Sequence, residues 1–334
     1  MTQSLPPKQS LSAKKAESNR PHHGESILEE KRLSDMFGQR ARDLLDDVGK
    51  LVDQKVVLDP FLEIGAGSTQ RSTALINNYK ISGVATDISQ KSLQDSPYIL
   101  KLLNYNEKPI LICCDAHSIP FLPNTFQFVF AYQTIHHFQN PIPVVAECHR
   151  VLAKDGHFFF NEEPADSALR RFMRGNRLIS DPLTPLQKLA QRLGVIKLFW
   201  DSGAVERSLG MTEARFDFGL WQMTLAPFEI LDIEVNQKIK IHSNLRHPRL
   251  QVGLSRILGG NIRGLCIKRN GEPRSGDFRE RLMCLDCQNQ LPLKSGDQLV
   301  CEHCGRVYPI TDGVIRMLPK DLEVQLHGTS PVAG

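Results

Sequence analysis

The chain has 334 residues, 41% of them apolar and 23% charged, with 41 Lys and Arg against 37 Asp and Glu for a net charge of +4. These proportions exclude a collagen-like or wholly disordered polymer, and no apolar run approaches the ~20 residues that cross a bilayer. A charge this small does not by itself argue for a polyanionic partner, and the length accommodates two domains.

Residues 1–27, rich in Ser, Pro, Lys and His, have little to bury and are expected to be a disordered tail. Over 28–52 apolar residues recur at helical spacing (Leu33, Met36, Phe37, Ala41, Leu44, Leu45, Val48, Leu51), which predicts an amphipathic helix before the first strand. Strands are expected at 61–64, 83–86, 110–114, 126–131 and 156–161, separated by helical stretches of crossover length over 69–78, 89–104 and 141–153. Such alternation predicts a doubly wound α/β domain over 28–269, its sheet mainly parallel and covered on both faces. A helical insertion at about 164–226 breaks the rhythm. Its Phe199, Trp200, Phe216, Phe218, Trp221 and Met223 suit an apolar lid or a core equally well. Two closing strands are expected at 228–235 and 261–268, then a linker over 270–277, a cysteine-bearing module over 278–320 and a flexible tail over 321–334.

Phe61-Leu62-Glu63-Ile64-Gly65-Ala66-Gly67 leads a strand into a glycine turn and a helix, so that free N–H groups can face a ligand. Asp87 ends the second strand twenty residues after Gly67, where a carboxylate can accept hydrogen bonds from both ribose hydroxyls. Asp115, beside Ala116, ends the third, where it could meet an adenine amino group. Three strand ends thus converge on an adenosine-containing cofactor. Gln70 stands where a dinucleotide fingerprint carries its last glycine, which makes a nicotinamide dinucleotide the minor reading.

Together with Ala131-Tyr-Gln-Thr-Ile-His-His-Phe138 after the fourth strand and the run from Cys148 to His157 before the fifth, these motifs resemble class I S-adenosylmethionine-dependent methyltransferases over about residues 33–269. The resemblance implies a Rossmann-like seven-stranded sheet with an antiparallel last strand, and an active site above the strands' carboxyl ends. It also implies S-adenosylmethionine as cofactor, held by Glu63, Gly65, Ala66, Gly67, Asp87, Asp115, Ala116 and Ala131. Ser68 replaces a small residue or glycine common in that family and is itself small. A hydroxyl or protonated nitrogen acceptor would need a general base. His136, His137, Glu162 and Glu163 lie just past strand ends, and His137 is the candidate catalytic residue. The competing reading makes the histidines packing and hydrogen-bonding elements and the glutamates solvated charges or contacts to the insertion.

Eight cysteines are unevenly placed: Cys113, Cys114, Cys148 and Cys266 are scattered and read as small buried hydrophobes. Without an apolar leader after Met1, a reducing, cytoplasmic setting is expected. Cys284-x2-Cys287, thirteen residues and Cys301-x2-Cys304 give two thiolate pairs at four-cysteine zinc-ribbon spacing. With the Tyr308-Pro309-Ile310-x-Asp312-Gly313 stretch, this window is similar to the small zinc-ribbon family that contains the activator subunit of eukaryotic tRNA methyltransferases. That likeness implies a structural or regulatory ribbon resting on its own catalytic domain. Between Lys238 and Leu282 eleven Lys or Arg face three Asp or Glu, and Arg170, Arg171, Arg174 and Arg177 cluster in the insertion. Both groups suit RNA phosphates or plain solvated surfaces, so the acceptor stays open among small molecules, RNA and protein. The alternative to an enzyme is a catalytically silent cofactor-binding scaffold that recruits RNA or protein.

Overall fold

The computed structural model describes residues 14, 15, 18, 27–165, 192, 216–236, 260–293 and 296–328. Most of the expected insertion, with Phe199, Trp200 and the arginine cluster at 170–177, lies outside the described residues, as does most of the 1–27 tail. Helix α1 (Ile27–Asp53) carries the apolar stripe read from the sequence, and Leu33, Phe37, Ala41, Leu44, Val48 and Leu51 are all buried. The stripe packs on Ile99 at one end and on Leu75, Ile76 and Phe61 at the other.

Strands β1 (Phe61–Ile64), β2 (Gly83–Asp87), β3 (Ile110–Cys114), β4 (Phe126–Tyr132) and β5 (Leu152–Ala165) are parallel. Strand β7 (Gly260–Ile267) runs antiparallel between β5 and β6 (Glu229–Asn236). The order β6-β7-β5-β4-β1-β2-β3 reverses at β1, which has β4 on one side and β2 on the other. Open α/β sheets offer a crevice outside the strands' carboxyl ends at such a reversal. Helices α2 (Gln70–Tyr79), α3 (Gln90–Gln94), α4 (Ser96–Leu103), α5 (Ile142–Val151) and α6 (Phe218–Leu225) complete this part of the chain. The expected helix over 89–104 is two, because Pro97 is tolerated only in a first turn and a new helix starts around it. Trp221 of α6 stacks on Phe160 with 5.1 Å between centroids, and Phe216 packs edge-on against it. These two rings are core.

The sheet does not end at β3. Strands β8 (Gln298–Val300), β9 (Val307–Thr311) and β10 (Val314–Met317) continue it to ten strands, β10 lying parallel to β3 with Val314 opposite Leu111 and Met317 opposite Cys114. An uncovered β3 would present a row of unpaired backbone groups; β10 satisfies them and buries Val314, Ile315 and Met317. The cysteine module is also stitched to the loop before β4, where Met283 N–H donates to Pro120 O (2.9 Å) and Leu122 N–H to Arg281 O (2.9 Å). Its Leu282, Cys284 and Tyr308 belong to the same apolar cluster as Ile112, Phe121 and Phe126. Where the sequence suggested a flexible tail after 320, helix α7 (Lys320–His327) folds back, with Leu322 buried and Glu323 paired to Arg316 at 2.8 Å. Among the described residues no helix is long and apolar enough to cross a membrane.

Candidate cofactor cleft and metal centre

The turn after β1 is built from left-handed backbone. Gly65, Gly67 and Thr69 have φ of 64°, 53° and 67°. A Cβ on Gly65 would lie 2.3 Å from Thr134 Cγ2 and 2.4 Å from its Oγ1, so glycine is required there both by conformation and by the close approach of the β4 loop. Asp87 locks the turn in place: its Oδ2 accepts from Gly67 N–H and its Oδ1 from Ser89 N–H, both at 2.8 Å. Asp115 receives the backbone N–H of His117 (3.1 Å) and the His117 ring Nδ1 (2.7 Å) on Oδ1, and pairs with Lys14 through Oδ2. Burial alone would raise the Asp115 carboxyl, but the hydrogen bond and charge of His117, reinforced by Lys14, outweigh it and hold it at about 2.

Gly65, Asp87, Asp115, Ala116 and His137 line one solvent-connected cleft, joined by Thr86, Ile88, Cys114, Gln133, Thr134 and Phe138. The remaining residues expected at the cofactor are not in its lining. Glu63 turns behind the turn, 2% exposed, and accepts from Ser72 N–H (3.1 Å) in the first turn of α2, where unpaired helix donors attract a carboxylate. Burial pushes the Glu63 carboxyl up to about 7 despite the opposing charge of Arg71. Ala66 continues the β1–β2 ladder through its N–H to Thr86 O (2.9 Å) with its methyl in the core, and Ala131 sits fully buried inside β4. Gly67 spends its N–H on Asp87.

The glutamate pair at the end of β5 divides in a way the residue types do not announce. Glu163 is fully buried and takes four donors: the amides of Thr134 (2.7 Å) and Ile135 (3.0 Å) on Oε1, the His136 amide (3.1 Å) and His136 Nδ1 (2.8 Å) on Oε2. This overturns its reading as a solvated charge. It organises the turn that carries Thr134 against Gly65 and His137 into the cleft. His136 faces this carboxylate, with its ring 4.3 Å from that of His137, so of the two histidines only His137 reaches the cleft lining. Glu162 accepts from Gln133 Nε2 (2.7 Å) and from Arg71 (3.2 Å), whose guanidinium lies 4.5 Å over the Tyr132 ring. Tyr132 in turn donates to Asp47 of α1 (2.9 Å), which also accepts from Asn161 (2.7 Å) and Arg263 (3.0 Å). This polar layer ties α1, α2, β4, β5 and β7 together behind the cleft.

The sulfur atoms of Cys284, Cys287, Cys301 and Cys304 lie within 4.8 Å of one another, with Cys284–Cys304 and Cys287–Cys301 at 3.6 Å. Zinc at ~2.3 Å from each thiolate of a tetrahedron places sulfurs ~3.8 Å apart, so the four fit that ion. Hydrogen bonding from Asn289 holds the Cys287 thiol down to about 6 and readies it as a thiolate. The buried Tyr308 hydroxyl accepts from Leu285 N–H (2.8 Å) and lies 3.2 Å from Cys284 Sγ, a support of the kind that orients metal ligands.

Residues 62–160 match the family of methyltransferase domains, and residues 280–313 match the Trm112p-like proteins. The chain thus carries a methyltransferase domain and a Trm112p-like domain. No curated protein matches it. Among solved structures it is similar to the complex of the Haloferax volcanii Trm112 methyltransferase activator with a provisionally named methyltransferase, at 12% identity over 73% of this chain and 95% of that one, TM-score 0.43. It is also similar to the magnesium protoporphyrin IX methyltransferase of Synechocystis with bound SAH, at 10% identity over 74% and 90%, TM-score 0.42. A SAM-dependent methyltransferase of Methanosarcina mazei gives 16% identity over 65% and 96%, TM-score 0.41. In this methyltransferase the residues that sequence reading passed over are Thr134 and Gln133 in the cleft and Arg71 behind it. Thr134 and Gln133 lie inside the segment already singled out after the fourth strand, whereas nothing in the sequence marks Arg71.

Proposed function

We propose that the methyltransferase holds S-adenosylmethionine at the carboxyl ends of β1, β2 and β3 and transfers its methyl group to an oxygen, nitrogen or carbon acceptor entering over β4. The observation that carries this reading is the meeting of Gly65, Asp87, Asp115 and His137, from four separate strand ends, around one cleft. Asp87 keeps lone pairs beyond those used by Gly67 and Ser89, and these suit ribose hydroxyls. Asp115, ionised far below neutral pH, offers an oxygen to the adenine amino group. When bound, the cofactor supplies an electrophilic methyl on an already charged sulfonium leaving group, so the protein's share is mainly alignment. For a hydroxyl or protonated nitrogen acceptor, a ring nitrogen of His137 takes the proton.

The ribbon, closed on one zinc by Cys284, Cys287, Cys301 and Cys304, stabilises the catalytic domain. Its pairing of β10 with β3 supports this role, and thiolate ligands suit the reducing cytoplasm. The test is calorimetric titration with S-adenosylmethionine and S-adenosylhomocysteine, followed by incubation with methyl-labelled cofactor and fractionated cell extract. Binding and label in RNA, protein or a small molecule are expected. Heat from a nicotinamide dinucleotide alone refutes the cofactor assignment, and binding without transfer to any fraction favours the silent scaffold.

A further inference from the structure

Two residues at neighbouring strand ends share left-handed backbone and meet through their side chains. Gln133, directly after β4, and Glu162, near the end of β5, have φ of 51° and 61°. A left-handed residue other than glycine persists only where its surroundings fix it, and such residues gather at functional sites. Among the described residues Gln133 is the one non-glycine residue of this kind in the cleft lining. Its backbone N–H donates to Asn161 O (3.2 Å) and its Nε2 to Glu162 Oε2 (2.7 Å), an oxygen that also accepts from Arg71 (3.2 Å). Arg71 is held in turn, its side chain 6% exposed and its guanidinium over the Tyr132 ring.

A carboxylate paired with a guanidinium only accepts, so the nitrogen of the Gln133 amide faces Glu162 and the oxygen is turned away from it. Among the described residues no donor takes that oxygen. Gln133 is exposed, which leaves Oε1 open to a molecule entering the cleft. His137 lines the same cleft four residues further on. An entering group therefore meets an amide oxygen, which accepts a hydrogen bond without taking the proton, and a ring nitrogen, which can take it.

We propose that Gln133 Oε1 orients the methyl acceptor and that this acceptor is a primary amino group. The inference deepens the function proposed above and rests on its cofactor and base assignments. A hydroxyl has a single hydrogen and cannot keep a bond to Gln133 while giving its proton to His137. An amino group has two. One N–H donates to Oε1, which turns the nitrogen lone pair towards the methyl group. The lone pair forms the new N–C bond as the S–C bond breaks, the electron pair of that bond stays on sulfur, and the second hydrogen leaves as a proton to a ring nitrogen of His137. The products are a secondary amine and S-adenosylhomocysteine. Glu162 and Arg71 act through Gln133 as positioning residues, keeping the amide from presenting its nitrogen to the acceptor.

The test incubates the full-length protein with methyl-labelled S-adenosylmethionine and fractionated cell extract, and locates the label in the product by mass spectrometry. It should sit on a nitrogen that carried two hydrogens; label on oxygen, sulfur or carbon overturns the inference and leaves the cofactor reading standing. Gln133→Met keeps the length of the side chain and drops the oxygen. By calorimetry its Kd for S-adenosylhomocysteine should stay within about twofold of the parent, while methyl transfer falls about tenfold or more. Glu162→Gln, which lets the amide turn, should lower kcat several-fold at unchanged Kd, whereas a merely structural role would move both together. Parent-like transfer by Gln133→Met, or a loss of affinity that matches its loss of transfer, overturns the proposal. A parent that binds no S-adenosylhomocysteine refutes the cofactor reading and this inference with it, and binding without transfer to any fraction refutes the acceptor role of Gln133.

Discussion

Replacing Glu63 by Gln isolates the cost of a buried carboxylate behind the glycine turn. In the folded chain burial lifts this group from an ordinary value near 4.5 to about 7. At ~1.4 kcal/mol per pH unit, that difference amounts to about 3 kcal/mol. Because the folded value is the higher one, the folded state binds the extra proton. Its contribution to stability is therefore whole below pH 4.5 and lost as pH rises through 7. Gln cannot ionise, and its carbonyl oxygen can still accept from Ser72 N–H. Wild type and Glu63→Gln should therefore melt within a degree or two of each other at pH 5. At pH 8 the variant should be more stable by up to about 3 kcal/mol, or about 4 °C in Tm for a chain of this size. Thermal melts of both proteins in matched buffers from pH 5 to 8 measure the gap, and groups that titrate identically in the two cancel. A gap that does not change with pH, or a wild type that is the more stable at pH 8, refutes the reasoning.

Asp87→Ala removes the acceptor of Gly67 and Ser89 N–H as well as the proposed ribose contact, and calorimetry should show S-adenosylmethionine binding weakened by about 1.5–3 kcal/mol or more. Gly65→Ala puts a Cβ into Thr134 on left-handed backbone; about 1–3 kcal/mol of stability should be lost in urea unfolding, with cofactor binding impaired. Glu163→Ala strands three buried amides and should cost at least about 3 kcal/mol by the same assay, whereas Glu163→Gln, which keeps an acceptor, should cost less. Elemental analysis should find one zinc per chain, and the Cys284→Ser, Cys301→Ser pair should lose it. Since β10 shares the sheet with β3, that variant should lower the melting temperature of the whole chain; an unchanged melting temperature counts against the stabilising role of the ribbon.

The β-α alternation from Phe61 onward was legible because strands buried on both faces read as short unbroken apolar runs, and the α1 stripe because its period is helical. Gly65, Asp87 and Asp115 were legible for a related reason, since each follows directly on a strand and the parallel sheet brings strand ends to one rim. Glu63 and Ala131, expected at the cofactor by the same logic, are not in the cleft lining. They lie inside strands rather than beyond them, so their side chains meet the core or α2.

Spacing by itself determined the four-cysteine set, because two tight Cys-x2-Cys clasps leave little freedom about what they bind, and it determined the order of strands and helices along the chain. Only the tertiary structure decided that the ribbon is a continuation of the sheet. Strand pairing is chosen by which backbone edge is free in space, and a linker of Gly, Pro and Ser carries no information about that edge. Likewise, two adjacent glutamates are chemically identical in sequence. Which of them is sealed under the turn at 134–136 and which meets Arg71 and Gln133 depends on how β5 twists past β4, where Glu162 takes left-handed backbone at φ 61°. That local geometry exists only once the sheet has formed.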